Sequence, residues 1–502
     1  MNYAATLSVV LLLVISGLGL VVDSNRTGGQ PLCSTMPSVF MQEFCQHIDH
    51  VVVIFMENHA YDNYFATYCL VKGPYCTETA IGVSPGTCLP QVGYTGNSSY
   101  PTGKPVCPEG SIAPWNFTAE NLSTIDVAHG EANTVRSICG TTANASCLGQ
   151  APKMTGFWNG EGKTYTVFGH YNGTTIPVYW DMAEEFGLGD GFFSSDPSYS
   201  LPNHWFMIAG QAPPQSQTYL TTVPEQHHYI DEANVTNTVQ DLLNNTPQVS
   251  WKYYDWTLAP YNQAIATTGG PLPSNQPGNG SAYSLWNPMA GRNESYRPAE
   301  AAHFVNRTQF FTSLSGTLPN VSWVIPQGGY SDHPPANITK GQSFVAQYVD
   351  AIEESKYWNS TAVFVTWDDY GGFFDHVGPP GKTPTMNPLG LSIRVPLIVI
   401  SPYTPAGLVS AQVGYFDSIL ATIEQRWNLG CVVPGRTQDC TAPVMSSYFD
   451  FGLTPRSPCL FPTNASLASY PDTTCALPRS AAQITPSLWT GSDEGLNDTE
   501  AD

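Results

Sequence analysis

The chain has 502 residues, 42% of them apolar and only 12% charged, and its 18 Lys and Arg against 40 Asp and Glu give a formal net charge of −22. The apolar share excludes a disordered tail and supports one large α/β domain with elaborations, or two domains. So acidic a surface excludes nucleic acid as a partner, and docking on anionic lipid through a basic patch, because both need clustered cations. Its self-repulsion would relax at low pH, which points to an acidic habitat.

Residues Ala4 to Val22 are uncharged and rich in Leu, Val and Ile. They read as a signal peptide cleaved after Gly19. An uncleaved anchor is the alternative, since the run approaches bilayer length and no Lys or Arg precedes it. Sixteen Asn-x-Ser/Thr triplets follow, from Asn25 to Asn497, and predict a coat of N-linked glycans that supplies the solubility so few charges do not. Twelve cysteines fall in two groups, Cys33 to Cys147 and Cys431 to Cys475, with none between 148 and 430. No CxxC pair is among them, so disulfides are expected rather than zinc. Cys139–Cys147, Cys431–Cys440 and Cys459–Cys475 are short-range candidates, with connectivity left open by spacing alone. All three features point to a secreted or cell-surface protein, touching membrane only through an N-terminal anchor.

A Gly/Pro/Cys-rich segment at about 70–120 reads as a stapled insertion in a catalytic domain spanning 47–430, and 431–502 as a disulfide-stapled, loop-rich C-terminal segment. Short apolar runs at His50–Met56, Val249–Tyr254, Val321–Ile325, Thr361–Trp367 and Val395–Ile400 read as buried parallel strands. A helix is expected from Ser343, with Phe344, Val345, Tyr348, Val349 and Ile352 on one face, and another over Asp417–Trp427. Strand, helix, strand in this order predicts an α/β fold with a mostly parallel sheet covered by helices.

Ligands of open α/β sheets bind beyond the carboxyl ends of the strands. There the sequence places Glu57, Asn58 and His59 after the first run, Asp368 and Asp369 after the fourth, and Ser331, Asp332 and His333 after the third. Adjacent carboxylates such as Asp368 and Asp369 repel one another unless protonated or bridged by a metal, so an oxygen-rich divalent cation site is expected.

The stretch HVVVIFMENHAYDNYF at 50–65 resembles the opening motif of the bacterial phosphoesterase family that includes phospholipases C and acid phosphatases. Further matches follow in that family's order: DVAHGEANTV from 126, SLPNHWFMIAG at 200–210, SDHPP at 331–335 and TWDDYGGFFDHVGPP at 366–380. The resemblance implies an alkaline phosphatase-like three-layer α/β/α sandwich and a metal-assisted hydroxyl nucleophile. It implies Glu57, Asn58, Asp368 and Asp369 as metal ligands, Ser200 as nucleophile and ligand, and His129, His303 and His333 facing the phosphate and leaving group. Four positions depart from the family pattern: Asp369 stands for Glu, His59 and His204 for Arg, and Ala302 for a second His.

Hard oxygen ligands favour one divalent cation, Mg²⁺, Mn²⁺ or Ca²⁺ ahead of Zn²⁺. The expected activity is hydrolysis of phosphate esters, an acid phosphatase first and a phospholipase C or other phosphodiesterase as the alternative. A sulfatase is disfavoured because no Cys/Ser-x-Pro-x-Arg occurs. A non-catalytic cell-surface glycoprotein is the reading from another class.

Overall fold

The computed structural model describes residues 32–463, apart from 73–75, 77–79, 81, 84–85, 97–105, 141–147, 149, 161, 213–236, 256–285, 287, 289–297, 381–386 and 388. The apolar N-terminal run, the acidic tail, Cys147, Cys475 and the triplets at Asn25, Asn97, Asn144, Asn234, Asn279, Asn293, Asn464 and Asn497 lie outside the described residues. Among the described residues no helix is long and apolar enough to cross a membrane.

Eight strands form the main sheet: β1 (His50–Met56), β2 (Gly187–Gly189), β3 (Trp251–Asp255), β4 (Phe304–Asn306), β5 (Val321–Val324), β6 (Thr361–Trp367), β7 (Leu397–Ile400) and β8 (Leu408–Ser410). Their order is β8-β2-β7-β6-β1-β5-β3-β4. Every residue of β1 and β6 is buried. Both faces of these central strands are covered, so they read as unbroken apolar runs rather than alternating ones. On one face lie α1 (Val39–His47), α4 (Ser200–Ala209) and α6 (Phe416–Trp427), with α6 packed against the other two. On the other lie α3 (Pro177–Glu185) and α5 (Ile338–Glu353), packed together. A further helix, α2 (Glu131–Cys139), follows the DVAHG segment. The expected α/β/α layering with a mostly parallel sheet is what the chain forms.

Two expectations need correction. The run Val395–Ile400 was expected to be a parallel strand, but β7 pairs antiparallel with β6, Thr366 opposite Leu397 and Val363 opposite Ile400. A parallel neighbour needs a crossover, usually a helix, and the described residues between β6 and β7 contain none. The helix expected from Ser343 begins at Ile338, where the Asn337 side chain accepts from the Thr339 N–H at 2.9 Å. Thr339 and Gly341 are weak helix formers that read as loop, but tertiary burial overrides them. Gln342, within that first turn and a half, accepts from the Val178 N–H of α3 at 3.1 Å.

Disulfides join Cys33–Cys45, Cys69–Cys76, Cys88–Cys107 and Cys431–Cys440, the last as expected. Cys139 and Cys459 are also disulfide-bonded, and no described cysteine is free.

Candidate active site

β1 and β6 are neighbours in the middle of the sheet, so the residues just past their carboxyl ends meet. Asn58 turns the chain sharply with φ 58°, a left-handed conformation that Asn tolerates better than most residues. Its backbone N–H then donates to Asp368 Oδ1 at 2.9 Å, and the Asp369 N–H donates to the same oxygen at 2.8 Å. Asp369 Oδ1 accepts from the Gly371 N–H at 2.6 Å. Gly371 has φ 58°, and a Cβ there would run into the Asn58 carbonyl, so glycine lets the two strand ends close on each other. Each aspartate thus has one oxygen fixed by backbone donors. The other oxygens, Asp368 Oδ2 and Asp369 Oδ2, are buried without a hydrogen-bond partner, as is Asn58 Oδ1. Burial, and then the charge of Asp368, pushes the Asp369 carboxyl well above the usual carboxylate range.

Ser200 is the first residue of α4, brought in from the other end of the sheet's connectivity. Its Oγ donates to Glu57 Oε2 at 3.0 Å. One helical turn later His204 points the same way, its Nε2 lying 2.9 Å from Glu57 Oε1 and 3.8 Å from Asp368 Oδ2. Glu57, His204 and Asp368 each offer an atom within 4.8 Å of the others, a spacing that can hold a metal ion. Burial lowers the His204 pKa to about 4. On the far side, His129 has Nδ1 bonded to the Val127 carbonyl and Nε2 3.2 Å from Asn58 Nδ2 and 3.8 Å from Asp369 Oδ2. The His333 ring lies 6.5 Å from that of His129; its Nδ1 bonds to the Pro334 carbonyl at 2.7 Å, while Nε2 is buried without a partner.

The structure therefore brings together Glu57, Asn58, Ser200, Asp368, Asp369, His129 and His333. His303 is not with them. It precedes β4 at the amino-terminal edge of the sheet, stacked 4.1 Å from Trp251 and bonded through Nδ1 to the Trp251 carbonyl at 2.8 Å. A residue leading into a parallel strand lies at the end opposite the ligand-binding crevice, so the expected phosphate-facing role of His303 does not fit its place.

Two residues join the surroundings of this cluster in ways that local pattern does not show. His204 stands in sequence only as a replacement for Arg, although its i, i+4 spacing from Ser200 was the available signal. Asp332 is a buried carboxyl whose Oδ2 accepts from Tyr64 Oη at 2.9 Å, Tyr179 Oη at 2.8 Å and Trp367 Nε1 at 3.1 Å, which pins the loop carrying His333. Burial pushes its pKa up to about 7. The residues answering it come from three separate segments, so no local pattern announces the cluster. His59, the other position where Arg was expected, lies between the rings of Tyr64 and Phe373 and has both nitrogens bonded within the protein, to Asn63 Oδ1 and the Asp332 carbonyl.

The cluster sets buried carboxylates with the spacing of a metal site beside a serine hydroxyl. The chain belongs to the Phosphoesterase family, whose model matches residues 48–430. It is 26% identical to the non-hemolytic phospholipase C of Burkholderia pseudomallei over 76% of this chain and 55% of that protein. It is 26% identical to phospholipase C B of Mycobacterium tuberculosis over 81% of this chain and 78% of that one. Non-specific phospholipase C1 of Arabidopsis thaliana is 25% identical over 61% of this chain and 57% of the relative. Among solved structures, the phosphonate monoester hydrolase of Agrobacterium radiobacter matches 82% of this chain and 79% of its own at a TM-score of 0.36 and 10% identity.

Proposed function

We propose that the chain hydrolyses phosphate esters with Ser200 as nucleophile and one divalent cation held by Glu57, Asn58, Asp368 and Asp369. The observation that carries this is the Ser200 hydroxyl, 3.0 Å from Glu57 Oε2, beside three buried oxygens with no hydrogen-bond partner. Buried polar atoms are normally satisfied, and buried carboxylate oxygens left without partners suit a cation. A divalent cation bound there neutralises phosphoryl charge and makes a nearby hydroxyl more acidic.

Glu57 Oε2 accepts the Ser200 proton as Oγ bonds to phosphorus and the ester P–O bond breaks. The departing alkoxide takes a proton from the Nε2 side of His333, the ring position buried without a partner; the Nε2 of His129 is already engaged by Asn58. Water then hydrolyses the phosphoserine and frees Ser200.

The positions where the family carries Arg hold His59 and His204, whose ring nitrogens lie against Asn63 Oδ1, the Asp332 carbonyl and Glu57 Oε1, so neither supplies the fixed cation that Arg would. Fewer cationic partners favour a monoanionic phosphate. A phosphodiester meets that condition at any physiological pH, and a phosphomonoester only below its second pKa of about 6. This puts a phosphodiester, a phospholipid as in the named relatives, ahead of the monoester expected from the sequence. Acid phosphatase activity is the second reading, supported by the acidic composition. The disulfides and the exposed triplets Asn116 and Asn359 support a secreted, glycosylated protein.

The test is hydrolysis of phosphatidylcholine, a soluble bis-ester and a soluble monoester from pH 4 to 8, with and without chelator. The diester reading expects turnover of the first two across the range; monoester turnover alone, confined to acid pH, selects the phosphatase. No chelator-sensitive hydrolysis of any substrate returns the non-catalytic glycoprotein.

A further inference from the structure

We infer that His204 is a metal ligand, so that the site takes a nitrogen donor and selects a borderline transition cation such as Zn²⁺ or Mn²⁺ over Mg²⁺ and Ca²⁺. The inference deepens the proposed function and rests on reading this cluster as a cation site.

The argument is one of geometry. The His204 ring is buried, and its Nε2 lies 2.9 Å from Glu57 Oε1 and 3.8 Å from Asp368 Oδ2. Glu57, His204 and Asp368 each offer one atom within 4.8 Å of the others, a spacing that a single cation can bridge. Asp368 Oδ2, buried and without a hydrogen-bond partner, is the second sign that a ligand belongs there. A buried imidazole nitrogen beside a carboxylate oxygen that has no other partner is suited to a metal ligand. Helix geometry supplies the rest: with Ser200 one turn earlier, α4 presents a hydroxyl and a nitrogen to the two oxygens of a single glutamate.

The donor set is therefore mixed, not the all-oxygen set expected from the sequence. Carboxylates with amide and hydroxyl oxygen suit Mg²⁺ and Ca²⁺, whereas an imidazole nitrogen shifts preference to first-row transition metals.

The test uses the full chain, stripped with chelator and reloaded. Pulsed electron paramagnetic resonance of the Mn²⁺-loaded protein reads nitrogen bound to the metal, and calorimetric titration reads affinity for Zn²⁺ and Mg²⁺. The expected result is a nitrogen coupling that persists in His129→Gln and disappears in His204→Gln, with Zn²⁺ affinity falling about tenfold or more in the latter while Mg²⁺ affinity holds. Retained Mg²⁺ binding shows that the variant is folded; His204→Asn repeats the arm if His204→Gln does not fold. Absence of nitrogen coupling in the wild type, or coupling that survives loss of His204, overturns the assignment. Hydrolysis is assayed apart: coupling without any phosphate-ester turnover would sink the functional reading and leave the ligand, whereas turnover without coupling does the reverse.

Discussion

Two groups of buried carboxylates lie close together in this protein, and they are completed differently. In one, Asp62, Asp190 and Asp375 surround Arg394, with Nη1 2.7 Å from Asp190 Oδ1 and Nη2 3.2 and 3.0 Å from Asp62 Oδ1 and Asp375 Oδ1. His376 adds Nδ1 at 2.6 Å from Asp62 Oδ2, and the Tyr61 ring stacks under the guanidinium at 4.3 Å. In the other group, Glu57, Asp368 and Asp369 meet imidazoles and a serine hydroxyl, and two carboxylate oxygens have no hydrogen-bond partner. A fixed guanidinium makes Asp62, Asp375 and His376 a structural knot, although their spacing alone would pass for a metal site. Carboxylates left open are suited to a ligand that arrives from outside. Proximity of acids alone does not make a site.

The comparison predicts opposite responses to substitution. Ser200→Ala should lower kcat/KM by several orders of magnitude with the melting temperature unchanged, as is typical when a covalent nucleophile is removed. Retention of more than about a tenth of activity, a loss under ~1.4 kcal/mol, would decide for direct attack by water. Arg394→Met should do the reverse, destabilising the fold by roughly 3–5 kcal/mol because it strands buried carboxylates, as read by chemical denaturation. Asp368→Asn separates the two cases most sharply. Without metal it should leave the midpoint unchanged or raise it, by removing a like charge beside Asp369, and it should abolish cation binding. If it proves as damaging to the metal-free fold as Arg394→Met, the distinction between knot and open site fails.

Metal removal should lower the melting temperature as well as stop hydrolysis. A cation at one hundred times its Kd stabilises by about 2.7 kcal/mol through linkage, and scans with and without chelator measure it. The smallest effect concerns Asp332. Its native pKa, raised by burial to about 7, lies above that of an unfolded aspartate. The native state therefore holds this proton more tightly than the unfolded chain does. The associated stability is full below about pH 4 and is lost as pH rises towards 7. Asp332→Asn should flatten that part of the stability profile; an unchanged slope would assign the titration to another group.

Much of the open site was legible because a central parallel strand announces itself. β1 and β6 are covered on both faces, so each is a seven-residue, mostly apolar run, and the charged or amide residues just after it, Glu57 and Asn58 or Asp368 and Asp369, must lie at its carboxyl end. The knot was not legible. Its Arg394 lies 332 residues from Asp62 in sequence, and no spacing rule connects them. His303 failed for a related reason: its motif placed it among the catalytic histidines, but a short edge strand carries it to the opposite end of the sheet.

By itself the sequence determined the layered α/β class, the central strands and the oxygens that end them, since burial on both faces and strand polarity are written in local pattern. Only the tertiary structure decided which imidazoles join those oxygens. His129, His204 and His333 enter the cluster and His303 leaves it, because the direction of a side chain depends on helix phase, strand position and partners distant in sequence, such as the Tyr64, Tyr179 and Trp367 that hold Asp332 in place.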